Sequence, residues 1–119
     1  MIRIKRLFKS FIYAFKGLKK TFVEEQNFKI QTFFALVVIV LGAFFRISKI
    51  EWCIIVFSIG TVLLMELANS AVERVTDILK PRIYDYAKEI KDIMAAAVFL
   101  ASFVAAVVGL IIFLPYILY

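Results

Sequence analysis

The chain has 119 residues, is 64% hydrophobic and carries a net charge of +6, with a mean hydropathy of +0.95. A soluble domain this small leaves too much surface in water to hide such apolar content, so a water-soluble globule is excluded. With one cysteine, Cys53, and no histidine, an intrachain disulfide and a thiol–imidazole metal site are excluded as well.

In chain order, the first predicted element is an amphipathic helix over residues 1–24. Ile4, Leu7, Phe8, Phe11, Phe15, Leu18 and Phe22 recur in steps of three and four and so share one face. Arg3, Arg6, Lys9, Lys16 and Lys20 occupy the other, the pattern of a helix lying along a membrane surface. Glu24 and Glu25 close it. A cleavable signal peptide is not expected, because the first long apolar run starts near Ile30 and lacks a small-x-small exit.

The first membrane span is predicted over 30–46, between Lys29 and Arg46. It is slightly short against the ~20 residues that a hydrocarbon core needs. Snorkelling by Lys29 and Arg46, with Gln31 and Thr32 near the interface, absorbs the difference. After the short polar connection Arg46–Glu51, a second helix runs over 51–79, with Trp52 at one interface and a cytoplasmic extension at its far end. Pro81 ends it, and a loop is expected over Lys80–Tyr86. The third span covers 92–118 and is uncharged from Ile93 onward, with Tyr116 and Tyr119 as interface anchors. The fold is therefore read as all-α and integral to the membrane: one domain of three transmembrane helices plus an amino-terminal amphipathic surface helix.

The placement of charge sets the orientation. Eight of the fifteen Lys and Arg residues lie in the first 29 positions, five between Arg74 and Lys91, and only Arg46 and Lys49 in the connection between the first two spans. The positive-inside rule then puts the amino terminus in the cytoplasm and the carboxyl terminus outside. Anionic lipid headgroups, rather than nucleic acid, are the partner that such bracketing of apolar spans fits.

The chemistry is expected on the second helix, where Glu66, Asn69, Ser70, Glu73 and Asp77 are spaced i, i+3, i+4, i+7 and i+11. At helical pitch they form one polar stripe, with Leu67, Ala68, Ala71, Val72 and Val75 on the other faces. Carboxylates in an apolar zone are costly and normally functional or paired. The topology gathers Glu25, Lys91 and Asp92 at the same leaflet. That density of oxygen ligands suits a hard cation such as Mg²⁺, a lysine suits phosphate, and a partly buried glutamate suits a general base. Plainer readings stand beside these: Glu24, Asp85 and Glu89 as solvated charges, Asp77 paired with Arg74 or a lysine, Ser70 as a helix-packing hydroxyl. Gly17, Gly42, Gly60 and Gly109 are scattered and form no phosphate-binding glycine loop.

At these residues the sequence resembles the diacylglycerol kinase and undecaprenol kinase family of small bacterial membrane kinases. The motif is Glu66-x-x-Asn69-Ser70-Ala71-x-Glu73-x-x-x-Asp77, followed by Ala87-x-x-x-Lys91-Asp92-x-x-Ala95-Ala96-Ala97-Val98. Upstream, Phe15-Lys16-Gly17-Leu18 and Glu25-x-Asn27-Phe28 fit the surface helix and the entry to the first span. The resemblance implies a homotrimer with sites shared between protomers, in the bacterial cytoplasmic membrane. It also implies transfer of the ATP γ-phosphoryl group, with Mg²⁺, to the hydroxyl of a membrane lipid alcohol. Carried over by residue, Glu66 is the base, Glu25 and Glu73 hold metal, Lys91 neutralises phosphate, and Asn69 and Asp92 order the nucleotide site. Tyr13 and Arg6 of the surface helix are assigned to the nucleotide with them.

Ile50-Glu51-Trp52 and Gly109-Leu110-Ile111-Ile112-Phe113-Leu114-Pro115 are closer to the undecaprenol kinase branch, which makes undecaprenol the favoured acceptor over diacylglycerol. Gln31 stands where that branch often has histidine, and Ala96 where it often has glycine. A small proton-coupled transporter using an intramembrane glutamate is the alternative; it needs its acid near the midplane, whereas these acids gather at one leaflet.

Overall fold

A computed structural model describes residues 1–82 and 84–119, and among them every regular element is helical. The order is α1 (Ile4–Glu24), α2 (Gln26–Phe45), α3 (Lys49–Leu79) and α4 (Tyr84–Leu118). Three of these, α2, α3 and α4, are long and apolar enough to cross a membrane, and the protein is a multi-pass membrane protein.

Element lengths decide where the molecule overhangs the bilayer. At 1.5 Å per residue, α2 with its 20 residues is about 30 Å long, the thickness of a hydrocarbon core. The helix starts four residues ahead of the expected span, so α2 has the length that span seemed to lack. α3 has 31 residues and α4 has 35, and each exceeds that thickness by ten residues or more. α2 and α3 are joined by a three-residue connection, so their ends are level there. The surplus of α3 must project at the opposite end, beside α1.

The two ends of the bundle are built differently. At the α2–α3 connection, Arg46 takes the left-handed conformation (φ 53°), which turns the chain so that the Ile47 amide reaches the Gly42 carbonyl at 3.2 Å. Ser48 then caps α3. Its Oγ accepts the Glu51 amide at 3.2 Å, while the Glu51 carboxylate accepts the Ser48 amide at 2.9 Å, a reciprocal capping box. The Tyr116 hydroxyl donates to the same carboxylate at 2.5 Å and ties the end of α4 to the start of α3. Ile47, Ile55, Ile112 and Phe113 form the buried apolar core at this end, flanked by Phe45 and Trp52.

At the other end, α1 packs against α2 and α3, and a single extended residue, Glu25 (φ −104°, ψ 113°), separates α1 from α2. α3 gives way to a turn in which the Arg82 amide reaches the Leu79 carbonyl at 3.1 Å. α4 then begins at Tyr84, so Tyr84–Tyr86, expected as loop, are helical; Ile83 lies outside the described residues. No Gly or Pro interrupts Tyr84–Asp92, and burial of Ala87 gives the early turns of α4 a reason to form. Lys88, Lys91 and Asp92 are therefore carried on a regular helix. Elsewhere little is buried within the protomer: 11–17% of each apolar span, so lipid or further subunits must cover the rest.

Candidate active site

The unbroken helix α3 carries the acidic stripe from within the apolar zone to the overhanging end. Glu66 and Ser70 are the most buried residues of that stripe, each 3% exposed. A buried carboxylate needs hydrogen bonds, and Glu66 takes one from Gln31 Nε2 of α2 at 3.1 Å. Ser70 Oγ donates to Glu25 Oε1 at 3.2 Å, which pins the one-residue link between α1 and α2 onto α3. One turn further out, Asn69 Nδ2 donates to Glu73 Oε1 at 3.4 Å.

A cleft of about 400 Å³ opens onto this cluster, lined by Gln31, Glu66, Asn69 and Glu73 and, from α4, by Ala95 and Phe99. Hydrogen bonds tie Glu66 to Gln31, Glu25 to Ser70 and Glu73 to Asn69, so three of the expected site carboxylates are held along one stretch of α3. Basic side chains stand at the rim. Arg74 is bonded to Glu24 at 2.6 Å and feels Glu25 and Glu73 as well. Lys91 Nζ meets Asp77 Oδ1 at 2.5 Å and also feels Glu73.

This geometry bears on several expectations. Glu24, read as a solvated charge, is exposed and also pairs with Arg74 of α3. The Arg74 hydrogen bond keeps the Glu24 carboxyl below its ordinary range, against a smaller opposing effect of desolvation. Asp77 is paired, and of the expected partners, Arg74 or a lysine, it takes Lys91. Asp92 turns away from the cluster: it pairs with Lys88 of its own helix at 3.3 Å and its side chain is 68% exposed. Arg6 and Tyr13 are exposed on α1 and do not line the acidic cleft. The Tyr13 ring faces Lys16 Nζ at 5.9 Å. The structure brings together Glu25, Glu66, Asn69, Glu73 and Lys91, and leaves Arg6, Tyr13 and Asp92 outside.

Among the described residues, no three acidic or thiol side chains stand close enough together to hold a metal ion by themselves. The donor set is nonetheless all oxygen. Mg²⁺ commonly binds through one or two carboxylates while keeping phosphate and water oxygens as its other ligands. Glu25 and Glu73 fit that use, and a dedicated protein cage does not.

Fold and site together define a class: a multi-pass helical membrane protein with a carboxylate-lined cleft at one end of its bundle. Residues 12–113 match the family model described as prokaryotic diacylglycerol kinase. The chain belongs to that family, and by family it is a lipid kinase. It is similar to the undecaprenol kinase of Bacillus subtilis (strain 168), 37% identical over 112 residues that cover 94% of this chain and 91% of that protein. The diacylglycerol kinase of Synechocystis sp. is 35% identical over 107 residues, 89% of this chain and 61% of the relative. That of Escherichia coli (strain K12) is 28% identical over 102 residues, 86% and 84% respectively.

Proposed function

We propose that the chain transfers the γ-phosphoryl group of ATP, with Mg²⁺, to the hydroxyl of a membrane lipid alcohol, with undecaprenol preferred over diacylglycerol. The observation that carries the reaction is Glu66: a glutamate 3% exposed, on an otherwise apolar stretch of α3, opening on a cleft that the Glu73 carboxylate also lines. The preference for undecaprenol rests on the similarity to the Bacillus subtilis undecaprenol kinase, which extends over 91% of that protein.

Glu66 is the base that accepts the hydroxyl proton as the acceptor oxygen attacks the γ-phosphorus and ADP leaves. Glu25 and Glu73 hold the metal ion, which supplies charge neutralisation to the nucleotide phosphates. Lys91, at the rim, adds a positive charge for the phosphates, and Asn69 keeps Glu73 oriented through its 3.4 Å bond. Such a site works by positioning and neutralisation rather than by covalent chemistry. The Lys and Arg distribution favours a cytoplasmic amino terminus, which puts the cleft at the cytoplasmic leaflet. There a lipid alcohol keeps its chain in the membrane while ATP arrives from water. α1, with apolar and basic faces, lies along that surface among anionic headgroups.

Arg6, Tyr13 and Asp92 are assigned to the nucleotide in a homotrimer, where α1 of one protomer reaches the cleft of the next. Their distance from the cleft within one protomer is what favours a shared site. The transporter reading loses its footing, because the acids gather at one end of the bundle and the family is one of kinases.

The test is phosphoryl transfer by the purified protein in detergent or bilayer, with Mg²⁺ and γ-labelled ATP, offering undecaprenol and diacylglycerol separately. Labelled lipid that disappears in Glu66→Gln is the expected result, with the larger kcat/KM for undecaprenol. Folded wild-type protein that labels neither lipid would refute the assignment.

A further inference from the structure

Gln31 is a polar residue of α2 that the reaction described above does not use, and it lines both the acidic cleft and a second cavity. On one side is the acidic cleft. On the other is an apolar cavity of about 340 Å³ between α2, α3 and α4, lined by residues such as Phe34, Ile59, Leu63 and Ala106. The amide is used at one end only. Nε2 donates to Glu66 Oε1 at 3.1 Å, while Oε1 is buried without a hydrogen-bond partner among the described residues. The orientation is dictated by chemistry: an ionised carboxylate only accepts, so the NH₂ must face Glu66 and the carbonyl must face away. Buried acceptors are satisfied in the great majority of cases, and an orphan beside a cleft points to a group absent from the free protein.

We propose that Gln31 is the residue that receives the acceptor alcohol, its Oε1 taking the hydroxyl's hydrogen bond while its Nε2 holds Glu66 in place. The proposal rests on the lipid kinase reading and adds to it the group that selects for a hydroxyl. An alcohol whose chain lies on the apolar side of Gln31 presents its hydroxyl to Oε1, next to the base. As transfer proceeds, the hydrogen turns from Oε1 to the Glu66 oxygen that Gln31 leaves free. The acceptor oxygen forms its bond to the γ-phosphorus as the bond from that phosphorus to the bridging oxygen of the departing ADP breaks. The proton ends on Glu66, and Gln31 neither gains nor loses one. A molecule without a hydroxyl leaves Oε1 unpaired and is rejected for that reason.

The experiment uses the full-length protein in lipid bilayers with Mg²⁺, labelled ATP and the lipid alcohol that the wild type phosphorylates. Gln31→Leu removes both polar atoms, and it should lower kcat/KM for the lipid roughly 100-fold, with the KM for ATP unchanged. Gln31→His restores one donor and one acceptor in the neutral ring and should recover activity to within about tenfold of wild type. Gln31→Glu keeps the acceptor but sets a second carboxylate against Glu66, and should be no better than Gln31→Leu. A Gln31→Leu enzyme with near-normal kcat/KM for the lipid would overturn the proposal, and so would a KM for ATP that rises in step with the lipid defect, which marks a collapsed site. Failure of Gln31→His to recover any activity would also overturn it. If wild type phosphorylates no lipid, the kinase reading itself fails; if wild type is active and only these contrasts are absent, the role of Gln31 alone is wrong.

Discussion

The two ends of the helical bundle follow opposite rules. At the α2–α3 end, polar groups are closed among themselves: Ser48 and Glu51 cap each other, and Tyr116 completes the Glu51 carboxylate. The surrounding contact is tight. A Cβ built on Gly42 would stand 2.8 Å from the Trp52 ring, so glycine is what lets the indole lie against α2. At the α1 end, the glutamate of α3 is buried but the amide that serves it keeps an unpaired carbonyl, and a cleft runs between the helices. Local stability follows packing and completed hydrogen bonds, and binding sites tend to come from the less finished parts of a structure. One end holds the helices in register, while the other leaves one buried acceptor, Gln31 Oε1, without a donor among the described residues.

That division can be broken most sharply at Glu66. Glu66→Gln removes the base and should lower phosphoryl transfer about 10³-fold. Thermal stability in detergent should not fall, because a buried charge has gone; a large loss of stability would show that Glu66 belongs to the scaffold instead. Gly42→Ala should do the reverse. Overpacking against Trp52 should cost about 2 kcal/mol in reversible unfolding while the folded fraction keeps its kcat. A variant as stable as wild type would mean that the indole can yield and that the closed end is looser than it looks.

Smaller changes sharpen the contrast. Glu73→Gln should raise the Mg²⁺ concentration for half-maximal activity by about tenfold, since one of few charged oxygen ligands is lost; an unchanged metal titration would remove Glu73 from the metal site. Ser48→Ala deletes the cap and should cost about 1 kcal/mol of stability with activity intact. The smallest effect is expected at Glu24. Its carboxyl is held below the ordinary 4.5 by Arg74, so its contribution to stability is complete above pH 4.5 and is lost only as pH falls through the lowered value. The melting temperature of wild type should exceed that of Glu24→Gln at pH 7 and still do so at pH 4.5. A difference that has vanished by pH 4.5 would show that the Arg74 contact is not formed in solution.

Periodicity and charge were enough to read the four helices in order, because apolar spans near 20 residues and a basic amphipathic stretch have few other physical meanings. The stripe Glu66–Asp77 was legible for a similar reason: all its members sit on one helix, and helical pitch converts spacing directly into a shared face. Boundaries were less visible. Tyr84–Tyr86 looked like loop because Pro81 ends α3 close by, yet burial of Ala87 favours an early start for α4. In the same way Gln26 opens α2 although its first turn is polar.

What the linear chain could not contain was any pairing between helices. Gln31 and Glu66 are separated by 35 positions, and Ser70 and Glu25 by 45; no spacing rule connects residues so far apart. Glu24 shows its partner Arg74 only once α3 is packed beside α1, and within the single protomer Asp92 pairs with Lys88 outside the cluster. Composition and pitch determine which face of each helix is polar, since those follow from the backbone of one segment alone. Which polar face meets which is decided by how the helices pack, because only packing settles which charges are buried together and which acceptor is left without a donor.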